Sequence, residues 1–209
     1  MPADNIIYRF DAEGRTTGAC SARIRSRGLH ATHVIERAVP CKAALYQETD
    51  IGWARDGSMF VSDGYGNSRV ASTTRTATSS AWGERVRVPA TSTRRTVSWL
   101  STTSFMWADR GTGSRIQTFD TEGNLKNVWN LPTAPWAPGL TRGANQVMFV
   151  GSVGRVYKMD LSGKILGAVR PSRPHAGTTD SIHALACPDE KTLYLANLYA
   201  SRFDKWVTE

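Results

Sequence analysis

No stretch of this 209-residue chain approaches the roughly 18 consecutive apolar residues that a membrane helix needs, so no membrane span is expected. The opening "MPADNIIYRF" has no basic region followed by an apolar core, and an export signal is not expected in this chain. Cysteine is scarce. Cys20, Cys41 and Cys187 stand far apart with no C-x-x-C pair, which argues against a zinc knuckle and against a disulfide framework. Amphipathic helical periodicity is also missing. The net charge of +8 would suggest a nucleic-acid partner, but it lacks the distribution for one. Six basic residues against one acidic fall in Arg15 to Lys42, and five against one in Ser72 to Ser104, leaving the remainder near neutral. No basic stripe with interleaved aromatics runs along an expected element, so nucleic-acid binding is not expected.

What the chain does contain is a repeated phrase. "ARDGSMFVSDGYGNSRV" from Ala54, "FMWADRGTGSRIQTFDTEGNL" from Phe105, "QVMFVGSVGRVYKMDLSGKILG" from Gln146 and "KTLYLANLYASRFDKW" from Lys191 share one pattern of short strands and glycine turns. "NIIYRFDAEG" from Asn5 reads as half of another copy. Arg69, Arg115, Arg155 and Arg202 recur every 40 to 47 residues, the length of one four-stranded propeller blade. The expected fold is therefore an all-β propeller in a single domain covering 1–209, with about four and a half blades. The "F-D-x-x-G" phrase is expected to be a primed hairpin turn between the middle strands of a blade. The recurrent arginines are expected to close turns or pair between blades. Trp53, Trp107, Trp129 and Trp136 are expected to pack between blades, and "LPTAPWAPGL" to form an interblade loop.

These phrases resemble the NHL-repeat six-bladed propellers, and among them the bacterial relatives of the peptidyl-α-hydroxyglycine α-amidating lyase domain. "VSDGYGNSRV", "ADRGTGSRIQTFD", "VYKMDLSGKILG" and "DSIHALACPDEKTLYLAN" carry the resemblance, over Thr49 to Ala71 and Phe105 to Trp206. It implies a carbon–nitrogen lyase in which three histidines hold zinc while a tyrosine and arginines act on the substrate, releasing an amide and glyoxylate. By motif, Tyr65 takes the tyrosine position and Arg110 an arginine position, as base and carboxylate clamp, and His183 the last zinc position. His30, in "SRGLHATH", stands near the first. Calcium is a second ion that the resemblance allows. The middle histidine phrase, "FNTPHS", is absent, so the metal site as written is incomplete and the chain is expected to be inactive as a lyase.

The absence has a coding explanation. Ser72 to Ser104 is roughly two-thirds Ser, Thr and Arg. "STTRTATS" can be encoded so that a neighbouring frame reads KYDKDGNF. "VRVPATSTRRTVSWLSTTS" likewise yields GPGPGDFNTPHSLVVVDNK, with the missing histidine straddling the codons of Arg95 and Thr96. "AVRPSRP" shifts to RFGRPGP. The expectation is a set of compensating frameshifts, with 15–45 and 72–104 poorly specified because the shifted frame loses strand alternation. The nucleotide sequence tests this: codons that do not give these phrases in a neighbouring frame refute it. The alternative function is a non-catalytic propeller that binds a peptide, a small molecule or a protein on its loop face. Members of the resembled group are often exported, and the sequence does not fix a compartment.

Overall fold

The computed structural model describes residues 6–21, 49–53, 59–63, 69–73, 95–99, 104–110, 113–170 and 181–207. Among these residues there are sixteen strands and no helix. In chain order, β1 (Ile6–Phe10) and β2 (Thr16–Ser21) form a two-stranded piece. Next, β3 (Asp50–Trp53), β4 (Met59–Asp63) and β5 (Arg69–Thr73) make a three-stranded sheet. A four-stranded sheet follows, of β6 (Arg95–Trp99), β7 (Ser104–Asp109), β8 (Arg115–Asp120) and β9 (Leu125–Asn130). A second comprises β10 (Pro135–Leu140), β11 (Met148–Ser152), β12 (Arg155–Met159) and β13 (Ile165–Val169). The last sheet has three strands, β14 (Ile182–Ala186), β15 (Thr192–Asn197) and β16 (Arg202–Val207). Every pairing is antiparallel between consecutive strands.

The first strands β3, β6, β10 and β14 lie against one another in sequence order, so the four larger sheets stack around a common axis. Stacking explains why β7, "SFMWAD", shows no inside–outside alternation: it is covered on both faces. On one face, Phe105 stacks on Phe60 of the preceding sheet with ring centroids 5.5 Å apart. On the other, Met106 and Ile116 meet Met148, Val150 and Met159 of the following sheet. The next interface repeats the arrangement, with Phe149 and Val156 against Ile182, Leu193 and Leu195. Each such side chain, fully buried, contributes about 1.5–3 kcal/mol, and these contacts between sheets hold the array together.

The Asp-x-x-Gly phrases join the third and outermost strands of a sheet, as in β8–β9 and β12–β13, and not the middle strands as the sequence suggested. Nor are the turns of the primed type. The Gly123 N–H donates to the Asp120 carbonyl and the Asp120 N–H to Asn124, each at 3.1 Å, and the same pair of bonds recurs at Asp160 and Asp11. Only the glycine has positive φ, at 77° for Gly14, 89° for Gly123 and 93° for Gly163. This is a three-residue loop with a bulge at glycine, and each ladder slips register beside it. The aspartate recurs because its carboxylate accepts the N–H groups of the loop: Asp160 Oδ1 bonds those of Ser162 and Lys164, each at 2.9 Å. The Ser162 hydroxyl, donating to the same oxygen at 2.6 Å, and then these N–H bonds hold the Asp160 carboxyl below its ordinary range.

Of the two jobs expected of the recurrent arginines, turn closure is the one Arg115 performs at the β7–β8 hairpin, and the ion pairs of Arg115 and Arg202 lie within a sheet. Arg115 Nη2 lies 3.3 Å from the carboxylate of Asp109, its register partner on β7, and Arg202 binds Asp204 on its own strand at 2.9 Å. "PWAPG" is strand β10 and not a loop. Proline is tolerated there because β10 is an inner edge strand, so only one of its sides needs ladder donors. Trp107 and Trp129 pack as expected, both buried. The side chain of Trp53 lies outside those described.

Candidate functional site

All four stacked sheets begin their first strand at the same end, here the upper end. The hairpins β7–β8, β11–β12 and β15–β16 turn at that end too, since Asp109 pairs with Arg95 and Arg115, Ser152 with Pro135 and Arg155, and Asn197 with Ile182 and Arg202. Arg110 follows β7 directly, Trp136 is the second residue of β10, and His183 the second of β14. Three successive sheets therefore each send one of these side chains to the upper end.

They meet. The Arg110 guanidinium carbon sits 4.3 Å from the centroid of the Trp136 ring, and the His183 ring meets the same indole edge-on, with centroids 5.7 Å apart and planes at 68°. Local structure fixes each member. Buried Asp109, bridged to Arg115, sets the base of the hairpin that carries Arg110. Ahead of Trp136, Thr133 Oγ1 lies 2.7 Å from Ser152 Oγ and 3.0 Å from the Tyr157 hydroxyl, while Ser152 Oγ donates to the Ala134 carbonyl at 2.6 Å. Ahead of His183, the Ser181 N–H donates to Asn197 Oδ1 at 3.2 Å and the Ser181 carbonyl accepts from Leu198 N–H at 3.0 Å.

Partial burial, and then the positive charge of Arg110, lower the pKa of His183. At neutral pH the group is thus a stacked guanidinium beside an uncharged imidazole. Stacking occupies the face of a guanidinium, whose N–H groups lie in its plane and suit the two oxygens of a carboxylate. The neutral ring supplies one further donor or acceptor. Of the residues singled out by sequence, Arg110 and His183 are thus brought together. Tyr65 and His30 lie outside the described residues.

A zinc site does not emerge from the described residues, among which no three His, Cys, Asp or Glu side chains gather. His183 has a guanidinium as its charged neighbour, which disfavours a second cation. Cys187 is no alternative ligand for it. It lies beyond the opposite end of β14, buried, with its thiol pushed up to about 11 chiefly by that burial. There it lines an open cleft of about 410 Å³ with Leu140, Arg142 and Tyr194.

No family model and no curated protein matches the chain in sequence. Solved structures do match in shape. A catalytically inactive virginiamycin B lyase from Staphylococcus aureus, in a structure with quinupristin, superposes with a TM-score of 0.62 at 14% identity, covering 98% of this chain and 60% of the lyase. A protein of unknown function from Bacteroides thetaiotaomicron gives 0.59 at 12% identity over 78% of this chain and 47% of its own. The computationally designed Ika8 protein gives 0.53 at 10% identity over 80% and 48%. The fold is a β-propeller. The stacked sheets and the β1–β2 piece agree with the four to five blades read from the repeat, and the chain spans 60% of the length of the lyase it resembles. At these identities the likeness speaks to the fold alone. No described helix is long and apolar enough to cross a membrane.

Trp136 is the site residue that sequence reasoning missed. It read as one more interblade packing residue, yet it is half-buried at the mouth of the array, beneath a cation. The available signal was its place one residue into an inner strand, but "LPTAPWAPGL" did not read as a strand.

Proposed function

We propose that this chain is an NHL-type propeller that binds a carboxylate-bearing ligand, such as the C-terminus of a peptide, at its upper end, without lyase turnover. The stacked Arg110–Trp136–His183 group carries this reading, because it places a bidentate carboxylate donor on a rigid aromatic support. The phrases shared with the amidating-lyase group point to the same ligand class, since that substrate also ends in a carboxylate. They support ancestry more strongly than activity, because turnover would require zinc ligands that the described residues do not supply. Arg110 is the clamp, Trp136 holds its plane, and His183 contributes a neutral hydrogen-bonding group. Tyr65 belongs to the proposed site on the strength of the "DGYGNSRV" phrase.

Calorimetric titration with an acetylated tripeptide acid and with its C-terminal amide tests the clamp. The acid is expected to bind and the amide to bind at least about tenfold more weakly, a difference of about 1.4 kcal/mol. Arg110→Ala should bring the acid down to the level of the amide. Equal binding of the two peptides, or an unchanged affinity for the acid in Arg110→Ala, contradicts the reading. Lowering the pH through the depressed His183 pKa adds positive charge beside Arg110, so acid binding should tighten as the pH falls below the ordinary histidine range, and His183→Gln should abolish the increase.

A further inference from the structure

The cleft beside Cys187 lies at the lower end, where β10 and β14, the inner strands of two adjacent sheets, run out. Its volume of about 410 Å³ falls among small-molecule pockets, which span about 300–1,000 Å³. Both of its sides are held in place. On one, buried Thr141 accepts the Val147 N–H on Oγ1 at 2.9 Å and Gln146 Nε2 on its carbonyl at 2.7 Å, which fixes the loop that carries Arg142. On the other, Asp189 Oδ1 accepts the N–H groups of Lys191 and Thr192 at 2.8 and 2.7 Å and closes the turn after Pro188. The Arg142 N–H donates to the Pro188 carbonyl at 3.4 Å, tying the two loops together.

The walls are apolar. A Cβ at Gly139 would lie 2.7 Å from Cδ2 of Leu185 and 3.3 Å from Sγ of Cys187, so the missing side chain is what lets both close against β10. Leu140 and the Tyr194 ring extend this surface. Cys187 brings no charge to it, because burial, and then neighbouring Asp189, keep its thiol protonated at neutral pH. The rim is positive. The exposed Arg142 side chain has no ion pair among the described residues, and the Lys205 ammonium lies 5.8 Å from the centroid of the Tyr194 ring. The nearby acids are already engaged, Asp189 by its own turn and Glu190 by Lys158 at 2.7 Å.

We propose that this lower cleft is a second ligand site, separate from the Arg110 group, for a small aromatic acid. The ring system lies against Leu140, Leu185 and Tyr194, where it displaces water from apolar surface and meets an aromatic face. The carboxylate meets the Arg142 guanidinium, whose planar N–H groups suit its two oxygens.

Cys187 reports on the site directly. The test follows its alkylation by iodoacetamide, read from the mass of the peptide that contains it, in the presence of naphthoate or of neutral naphthamide. Naphthoate at about ten times its Kd is expected to slow the reaction about tenfold, and the amide to need at least about tenfold higher concentration for the same effect. Arg142→Ala should remove the preference for the acid and leave the rate without ligand unchanged, which shows that the cleft itself is intact. Arg110→Ala should leave the protection as it is. A rate that naphthoate does not alter overturns the proposal, as does equal protection by the amide or undiminished protection in Arg142→Ala. Protection lost in Arg110→Ala overturns it as well, because the acid then acts from the upper end.

Discussion

Replacing Gly163 with alanine is expected to destabilise the protein by about 3–5 kcal/mol, the sum of a left-handed backbone strain and an overpacking cost. Gly163 has φ of 93°, and a Cβ there would lie 2.2 Å from Cδ1 of Trp129, on the outer strand of the preceding sheet. The turn is thus both a local bulge and the stop against which the two sheets close. Gly14 provides the comparison. It occupies the same place in the same turn, with φ of 77°, but a Cβ there would meet nothing within 4 Å. Gly14→Ala should cost only the backbone strain, about 1–2 kcal/mol. Urea unfolding followed by tryptophan fluorescence checks both, and equal losses would show that the contact with Trp129 contributes nothing.

Asp50→Asn is expected to stabilise the protein above about pH 6, by about 1–3 kcal/mol. Asp50 opens β3, where burial pushes its carboxyl up to about 6 while the Ile51 N–H, donating to Oδ1 at 2.8 Å, only partly offsets the loss of water. The fold therefore favours the protonated acid. In the wild type, the stability linked to this group is complete below the unfolded value near 3.8 and is lost as pH rises through about 6. Asparagine keeps the Oδ1 acceptor and carries no charge, so the advantage of the variant should appear between pH 4 and 7 and level off above that. Thermal unfolding at pH 4 and pH 8 measures it. A variant that gains nothing at pH 8, or gains as much at pH 4, would mean that Asp50 is not held out of water.

The sequence announced its repeat because turns and register residues are local. Aspartate at the start of a glycine bulge and arginine at the first position of a sheet's third strand each recur at a fixed offset, and the copies made the period visible. What it did not announce depends on which sheet lies next to which. Asp120 and Gly123 look the same whether their turn joins the second and third strands or the third and fourth; only the order β6–β7–β8–β9 decides. Arg115 could have reached across to another sheet, but its register partner Asp109 was nearer. The inner strand at Pro135–Leu140 was hidden because its prolines argue against a ladder, a rule relaxed at the edge where that strand sits.

The site was legible to the same degree. Arg110 and His183 stood in recognisable phrases, "ADRG" and "SIHALAC". Their joint dependence on Trp136 did not show, because the three residues come from three sheets and share no spacing. Trp136 lies 26 residues from Arg110 and 47 from His183 in the chain, and no periodicity links positions across a radial array. The depressed His183 pKa follows first from partial burial and then from the charge of Arg110, neither of which the residues around His183 in the chain disclose.

The most direct measurement is a paired assay with a peptidyl-α-hydroxyglycine, following its binding by calorimetry and the release of glyoxylate, with and without added zinc. Binding that depends on Arg110, with no glyoxylate released in either condition, is the predicted result. Zinc-dependent glyoxylate release would contradict the account, because it would require metal ligands that are not gathered among the described residues.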